Sequence, residues 1–246
     1  MTIEITVPVL NEEKSINEKI RELDNYIEVN LQDFGDIKIV IADNGSSDGT
    51  ILKAQALARE LGRVEYIRLD QRGVGLALKT SWTKSKADVV GYMDLDLATD
   101  LKFVRPALKK LINLEAEIVT GSRLKIGAKV VGRSRLRNFT SIAFNKIVKN
   151  VFNTSFSDGM CGFKFLQRKI LDNLISNGAT SDGWFFATEI LVVGEFLKYR
   201  IYDLPVVWTD DPNSKVKITK LAIEYIKQIM RLKKTLNRRL VNNEID

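Results

Sequence analysis

Short β-rich runs alternate with helix-patterned segments through the first half of this chain, and that alternation constrains the fold more than any other feature. "IEITVPVL" precedes a helical stripe through Ile16, Ile20, Leu23, Ile27 and Leu31. "IKIVIAD" then precedes "TILKAQALARELG", where Gly62 suits a helix stop. The same alternation continues with "VEYIRL", a helix over about 75–86, "VVGYMDLD", a helix over about 101–114, and "AEIVTGSR". Near-continuous apolar strands separated by helices form a sheet covered on both faces. The chain therefore reads as α/β, with a mostly parallel central sheet, flanking helices and ligands at the carboxyl ends of the strands.

Those strand ends are polar in a recurring way. The first run closes in "VPVLNEE", the second in "ADNGSSDGT", the fourth in "MDLDLATD" and the fifth in "TGSR". Taken singly, Asn11 suits a helix cap, "NGSSDGT" a turn with a cap at Asp48, and Asp94-Leu95-Asp96 a solvated acidic turn with Asp100 capping the next helix. Taken together, they suit one shared site. Two carboxylates at i and i+2 on an extended segment project to one side, and Mg²⁺ is held by one or two carboxylates together with substrate phosphates. The chain has no histidine and one cysteine, Cys161, which excludes a disulfide framework and leaves oxygen ligands for any metal.

The second half is less regular and more basic. Residues 1–120 hold 16 Lys+Arg against 20 Asp+Glu, and residues 121–246 hold 22 against 11. A basic half suits a polyanionic partner: nucleic acid, a phosphorylated small molecule or an anionic membrane surface. "RSRLRNFTSIAFNKIVKNVF" reads as a helix with an arginine-dense start, "CGFKFLQR" as a strand, "WFFATEILVVGEFLK" as a helix and "RIYDLPVVW" as an edge strand containing Pro205. After the loop "TDDPNSKVK", a last helix over about 218–240 carries Leu221, Tyr225, Ile229, Leu232, Leu236 and Leu240 on one stripe, with seven Lys+Arg against one Glu. That helix is expected to lie in the headgroup region of an anionic membrane surface, apolar face inward, with packing on the domain or on a partner subunit as the alternative. No apolar run reaches the roughly 18 residues of a spanning helix and no signal peptide is evident, so a cytoplasmic, peripheral protein is expected. Nucleic-acid binding is not expected, because the basic residues flank a phosphate-sized cluster and an apolar stripe instead of interleaving with exposed aromatics.

"VPVLNEE", "ADNGSSDGT", "RGVGLALKTSW", "YMDLDLATD" and "GSR" stand in the order and spacing of inverting family 2 glycosyltransferases, whose fold is the nucleotide-sugar-binding GT-A fold. "RNFTSIAFN", "DGMCGFKF", "WFFATEIL" and "VVWTDDPNSKVK" extend the likeness, which resembles the polyprenyl-phosphate hexose synthases, including dolichyl-phosphate glucose and mannose synthases, over roughly 3–217. The resemblance implies a transferase domain over 1–217, with a nucleotide-sugar half (1–120) and an acceptor half (121–217), followed by the basic helix and tail (218–246). It places Pro8, Val9, Glu12, Asp43, Asn44, Gly45, Lys79 and Asp94 around the nucleotide-sugar, and Asp94 and Asp96 on Mg²⁺ or Mn²⁺. Arg123, Arg137 and Ser141 would receive the acceptor phosphate, with Trp184, Glu189 and Lys215 also on the acceptor side. R-x-x-x-S makes physical sense as well, since i and i+4 share a helix face near free amides. Three positions depart from the pattern: Ala187 stands where relatives usually carry Asp, Val74 where a basic residue is customary and Leu95 where a small one is.

The implied reaction moves a hexose from a nucleotide-sugar, UDP-glucose first and GDP-mannose second, to a polyprenyl phosphate at a membrane. A soluble or glycan acceptor is the alternative. A phosphate monoester is largely dianionic at neutral pH and attacks without a strong base, so a chain without histidine suits it.

Overall fold

The computed structural model describes residues 1–210 and 218–241. Seven strands form the central sheet: β1 (Thr2–Val9), β2 (Asp36–Asp43), β3 (Val64–Arg68), β4 (Val89–Met93), β5 (Ile118–Ser122), β7 (Phe163–Gln167) and β8 (Ile201–Pro205), in the order β3-β2-β1-β4-β7-β5-β8. Every pairing is parallel except those of β7, which runs antiparallel to both β4 and β5. The expected mostly parallel sheet is present, but the edge strand expected to run through Pro205 ends there, where a missing N–H costs nothing, and Val207–Thr209 pairs in a second sheet. Two short strands that pair in parallel outside this sheet, β6 (Lys129–Val131) and β9 (Val207–Thr209), complete the set; β6 was not anticipated from its three residues.

Alternation along the strands sends side chains to two helical layers. Ile3, Ile5, Val7, Ile37, Ile39 and Ile41 meet α1 (Ile16–Asn30), α2 (Thr50–Glu60) and α4 (Val104–Ile112) on one face. Val90, Tyr92, Ile118 and Leu166 meet α3 (Val74–Lys84), α6 (Leu171–Ser176), α7 (Phe186–Phe196) and α8 (Ile218–Val241) on the other, where α5 (Arg135–Phe152) also joins. The α8 stripe is spent inside this layer. Tyr225, Ile229, Leu232 and Leu236 are buried, with Tyr225 against Phe144 of α5 and Phe185 before α7. The lipid-facing role expected for that stripe is therefore corrected, because its apolar surface already has a partner in the domain. Leu240 is exposed, and the side chain of Leu221 lies outside what the structure describes.

The inversion of β7 determines what meets at the site. Because β7 opposes β4 and β5, its amino end lies at their carboxyl ends, and Met93 pairs with Phe163. The segment 158–162 is thus delivered to the edge where Asp94 and Arg123 emerge, and Asp94 N–H donates to the Gly162 carbonyl at 3.2 Å.

Candidate active site

The loops after β1 and β2 interlock. Asn11, in the left-handed region at φ 55°, accepts from Ser47 N–H (2.8 Å) and donates its own N–H to Ser46 Oγ (2.9 Å), so it braces two loops and does not cap α1. Asp48 accepts from Thr50 N–H (3.0 Å), but the N-cap of α2 is Gly49, one residue beyond the cap expected at Asp48. Glu12 holds Ser15 Oγ at 2.7 Å, and Pro8 and Val9 end β1 buried. Asp43 is buried, accepting from Ser46 N–H (2.8 Å) and from the Tyr66 hydroxyl (3.0 Å). Burial first, then Asp43, pushes that phenol up to about 12, so it stays a donor. Asn44 is buried with Oδ1 lacking a partner among the described residues, and Gly45 follows at φ 80°.

Asp94 and Asp96 lie just beyond β4, on a turn closed by Leu97 N–H to the Asp94 carbonyl (3.1 Å) and not on the extended segment expected. They still share one small pocket, lined also by Leu97, Thr99, Gly162 and Trp208. Burial and then the neighbouring Asp96 push the Asp94 carboxyl up to about 7, against Lys164 and Arg123. Asp94 Oδ1 is buried without a hydrogen-bond partner among the described residues. An ideal Cβ at Gly162 would fall 1.7 Å from Asp94 Oδ2, so glycine is what lets the carboxylate lie there. Paired hard oxygens, one of them orphaned, fit a divalent cation. Asp100 accepts from Lys102 N–H, the capping role anticipated for it.

The basic residues have partners that sequence spacing did not reveal. Arg123 is closed on Asp158, Nε to Oδ2 at 2.7 Å and Nη2 to Oδ1 at 3.0 Å, with the carboxylate fully buried. Burial alone would raise the Asp158 carboxyl, but the charge and hydrogen bonds of Arg123 hold it down to about 2. Arg137 reaches both oxygens of Asp210 at 3.0 Å, while its amide caps on Ser134. Ser141 is buried and accepts not from Arg137 but from Arg133 Nη2, at 2.7 Å. The arginine–serine pair of the motif is thus divided between two partners.

Trp208 joins the acidic and basic groups. Thr209 N–H donates to the Ala98 carbonyl and Asp100 N–H to the Val207 carbonyl, which fixes Trp208 beside the Asp94–Asp96 turn. The guanidinium carbons of Arg123 and Arg133 lie 5.3 and 5.2 Å from its ring centroid. Neither Trp208 nor Arg133 was among the residues anticipated. The remaining candidates lie elsewhere: Lys79 binds Asp182 (2.7 Å) and the Thr180 carbonyl, Glu189 is buried against Ser181 and Arg231, and Trp184 is exposed. Lys215 lies outside the described residues.

A largely parallel α/β/α sandwich with carboxylate-bearing turns gathered at one sheet edge is the architecture of GT-A glycosyltransferases. Among solved structures, glucosyl-3-phosphoglycerate synthase from Mycobacterium tuberculosis, in complex with Mn²⁺, UDP and glucosyl-3-phosphoglycerate, superimposes with a TM-score of 0.69 over 95% of this chain and 80% of that one, at 16% identity. The family model for glycosyl transferase family 2 matches residues 4–175, and the chain belongs to that family. Glycosyltransferase AglD of Haloferax volcanii is 28% identical over 93% of this chain, which spans 36% of AglD. Dolichyl-phosphate beta-glucosyltransferase ALG5C of Trichomonas vaginalis is 28% identical over 89% of the chain and 68% of its own length, and the mouse dolichyl-phosphate beta-glucosyltransferase is 28% identical over 87% and 69%. The chain thus spans about a third of AglD and about two thirds of the glucosyltransferases.

Proposed function

We propose that this chain transfers a hexose from a nucleotide-sugar to a polyprenyl phosphate, with UDP-glucose the preferred donor and GDP-mannose second. The observation that carries the reading is the juxtaposition at Trp208, where a carboxylate pair suited to a metal-bound diphosphate and a pair of arginines suited to a phosphate lie against one indole. The dolichyl-phosphate beta-glucosyltransferases among the relatives support glucose as the sugar and a dolichyl-type phosphate as the acceptor.

Asp94 and Asp96 would hold Mg²⁺ or Mn²⁺, which when bound neutralises charge on the departing diphosphate. The interlocked loops carrying Pro8, Val9, Glu12, Asp43, Asn44 and Gly45 receive the base and ribose, and the orphaned Asn44 Oδ1 is available to a donor on the ligand. The acceptor phosphate, already dianionic near neutral pH, is held on the arginine side and attacks the anomeric carbon without a protein base, in one displacement that inverts the centre. Glu189 is engaged by α8 and takes no proton in this scheme.

A bilayer-borne acceptor requires access to a membrane surface. Among the described residues, no helix is long and apolar enough to cross one. Leu136 and Phe139 at the start of α5 and Ile223, Ile226 and Met230 on α8 are exposed, and exposed Lys227, Lys233, Lys234 and Arg238 accompany them. These exposed groups, and not the buried stripe, are the ones we assign to an anionic bilayer surface. Incubation with membranes, Mg²⁺ or Mn²⁺ and a panel of radiolabelled nucleotide-sugars tests the reading. Label should enter the organic phase from UDP-glucose, whereas label confined to water-soluble product would assign a soluble acceptor and defeat the lipid reading.

A further inference from the structure

Three arginines surround the basic side of the site, and they differ in what remains unsatisfied. Arg123 has two nitrogens committed to buried Asp158, and Arg137 has both oxygens of Asp210. Arg133 has no carboxylate partner among the described residues. Its Nη2 donates to Ser141 Oγ, while Nε and Nη1 are buried without a hydrogen-bond partner there. Buried donors are almost always paired, so two orphaned nitrogens on one guanidinium point to a missing acceptor. Burial first, and then the charge of Arg123, lower Arg133 to about 10 against the more distant pull of Asp158 and Asp210, which leaves it protonated at neutral pH.

The backbone places this guanidinium by construction. β6 pairs with β9 so that Val130 stands opposite Trp208 and Val131 opposite Thr209. Gly132 then turns the chain at φ 76°, a left-handed conformation that suits glycine, and Arg133 follows immediately before the Ser134 cap of α5. Trp208 supports the guanidinium plane at 5.2 Å, and the same indole lines the Asp94–Asp96 pocket. A group paired with Arg133 is thus one aromatic ring away from the carboxylates proposed to hold the leaving diphosphate.

We infer that Arg133 is a further receptor of the acceptor's phosphate monoester, beside Arg123 and Arg137, oriented by Ser141 and Trp208. The inference rests on the proposed phosphate acceptor and deepens it. A dianionic phosphate supplies the acceptor atoms that Nε and Nη1 lack and the charge that Asp158 and Asp210 have already given to the other two arginines. A planar guanidinium lying over an indole is not replaced by an ammonium, so lysine at this position keeps the charge but loses geometry.

The test is calorimetric titration of the full chain with geranyl phosphate, inorganic phosphate and, separately, UDP with Mn²⁺, comparing wild type with R133M, R133K and, as an exposed control, R135M. Loss of a charge-assisted contact predicts geranyl phosphate binding weakened about tenfold or more in R133M, a smaller loss in R133K, and no change in R135M. UDP–Mn²⁺ binding should stay within about twofold throughout, which also reports a folded protein. A smaller loss in R133M with nucleotide binding intact overturns the assignment. Should R133M fail to fold, R133K decides, since wild-type affinity for geranyl phosphate in that variant overturns it too. If the wild type binds inorganic phosphate through Arg133 but not geranyl phosphate, the arginine assignment stands and the prenyl acceptor falls; binding of neither overturns both.

Discussion

In the acidic half of the molecule, Asp94 keeps a buried oxygen free for a ligand, while in the basic half Arg123 and Arg137 are closed on carboxylates of the protein itself. Both sets of residues stand at or near the carboxyl edge of one sheet, and both were singled out by motif spacing. The difference teaches that spacing fixes where a side chain emerges, whereas its availability depends on partners that are distant in sequence. Asp158 is 35 residues from Arg123 and Asp210 is 73 from Arg137. An arginine buried beside its own carboxylate has a wall-building role before any ligand arrives.

The sharpest way to break this contrast is to remove a carboxylate from the basic half. Asp158→Asn leaves Arg123 buried without its counter-charge and should cost about 3–5 kcal/mol of stability, measured by urea unfolding. The sign with pH is fixed by the depressed carboxyl: its contribution is complete above the ordinary value of 3.8 and is lost as pH falls through about 2. A wild-type unfolding midpoint in Asp158→Asn would show that the pair is not structural, and the contrast between the halves would fail.

Substitution in the acidic half should act on transfer and leave the fold intact. Asp96 is exposed at the rim of its pocket, so Asp96→Asn should melt like wild type yet lose roughly two orders of magnitude in turnover, equivalent to about 3 kcal/mol of leaving-group stabilisation. Undiminished turnover, in that variant or under excess chelator, would remove the metal from the reading.

Legibility follows the same line. β1 to β5 and α1 to α4 announce themselves because local periodicity and polar strand ends coincide, and the strand-end candidates Asp43, Asn44, Asp94 and Asp96 emerge where the apolar runs stop. The reversed β7 is not legible. "FKFLQ" carries the same apolar density as its parallel neighbours, and only non-local pairing sets its direction. Lys164, fully buried in that strand with Nζ on the Cys161 carbonyl at 2.6 Å, is the one residue whose polarity hints at an unusual position. Arg133 was passed over because R-x-x-x-S draws attention to Arg137. The signal that identifies it, a glycine turn opening a helix beside an aromatic strand, exists only once β6 and β9 are paired. The stripe on α8 was legible as a stripe, but a 3.6-residue period says nothing about whether protein or lipid covers it.

α8 allows the comparison to be tested inside a single helix, since one side is built into the domain and the other is exposed. On the inner side Arg231 pairs with fully buried Glu189, which also accepts from Ser181 N–H at 2.8 Å. Arg231→Ala removes the cation and leaves the serine bonds, and because Arg231 is itself part-exposed the expected loss is only about 1–2 kcal/mol in unfolding. A loss equal to that of Asp158→Asn would make the two buried carboxylates equivalent and weaken the claim that the basic wall is special.

On the outer side of α8 the effect should be smaller still and should appear only at a surface. Lys233 and Lys234 are exposed and form one open groove with Met230, Asn237, Arg238 and Val241. Removing one of them takes away no internal bond, so Lys234→Ala should leave the melting transition unchanged. If the groove faces anionic headgroups, each lysine contributes about 1 kcal/mol, and the variant should sediment with phosphatidylserine vesicles roughly fivefold more weakly at low salt, with the difference closing as salt screens it. Met230→Ser on the same side should weaken binding by a margin that salt does not close, because its contribution is apolar. Truncating α8 would confound the two sides by stripping Tyr225, Ile229, Leu232 and Leu236 from the core, which is why point changes on the outer face are the informative ones. Equal vesicle binding by wild type, Lys234→Ala and Met230→Ser would leave α8 as a packing element alone and move the search for a membrane contact to exposed Leu136 and Phe139 at the start of α5.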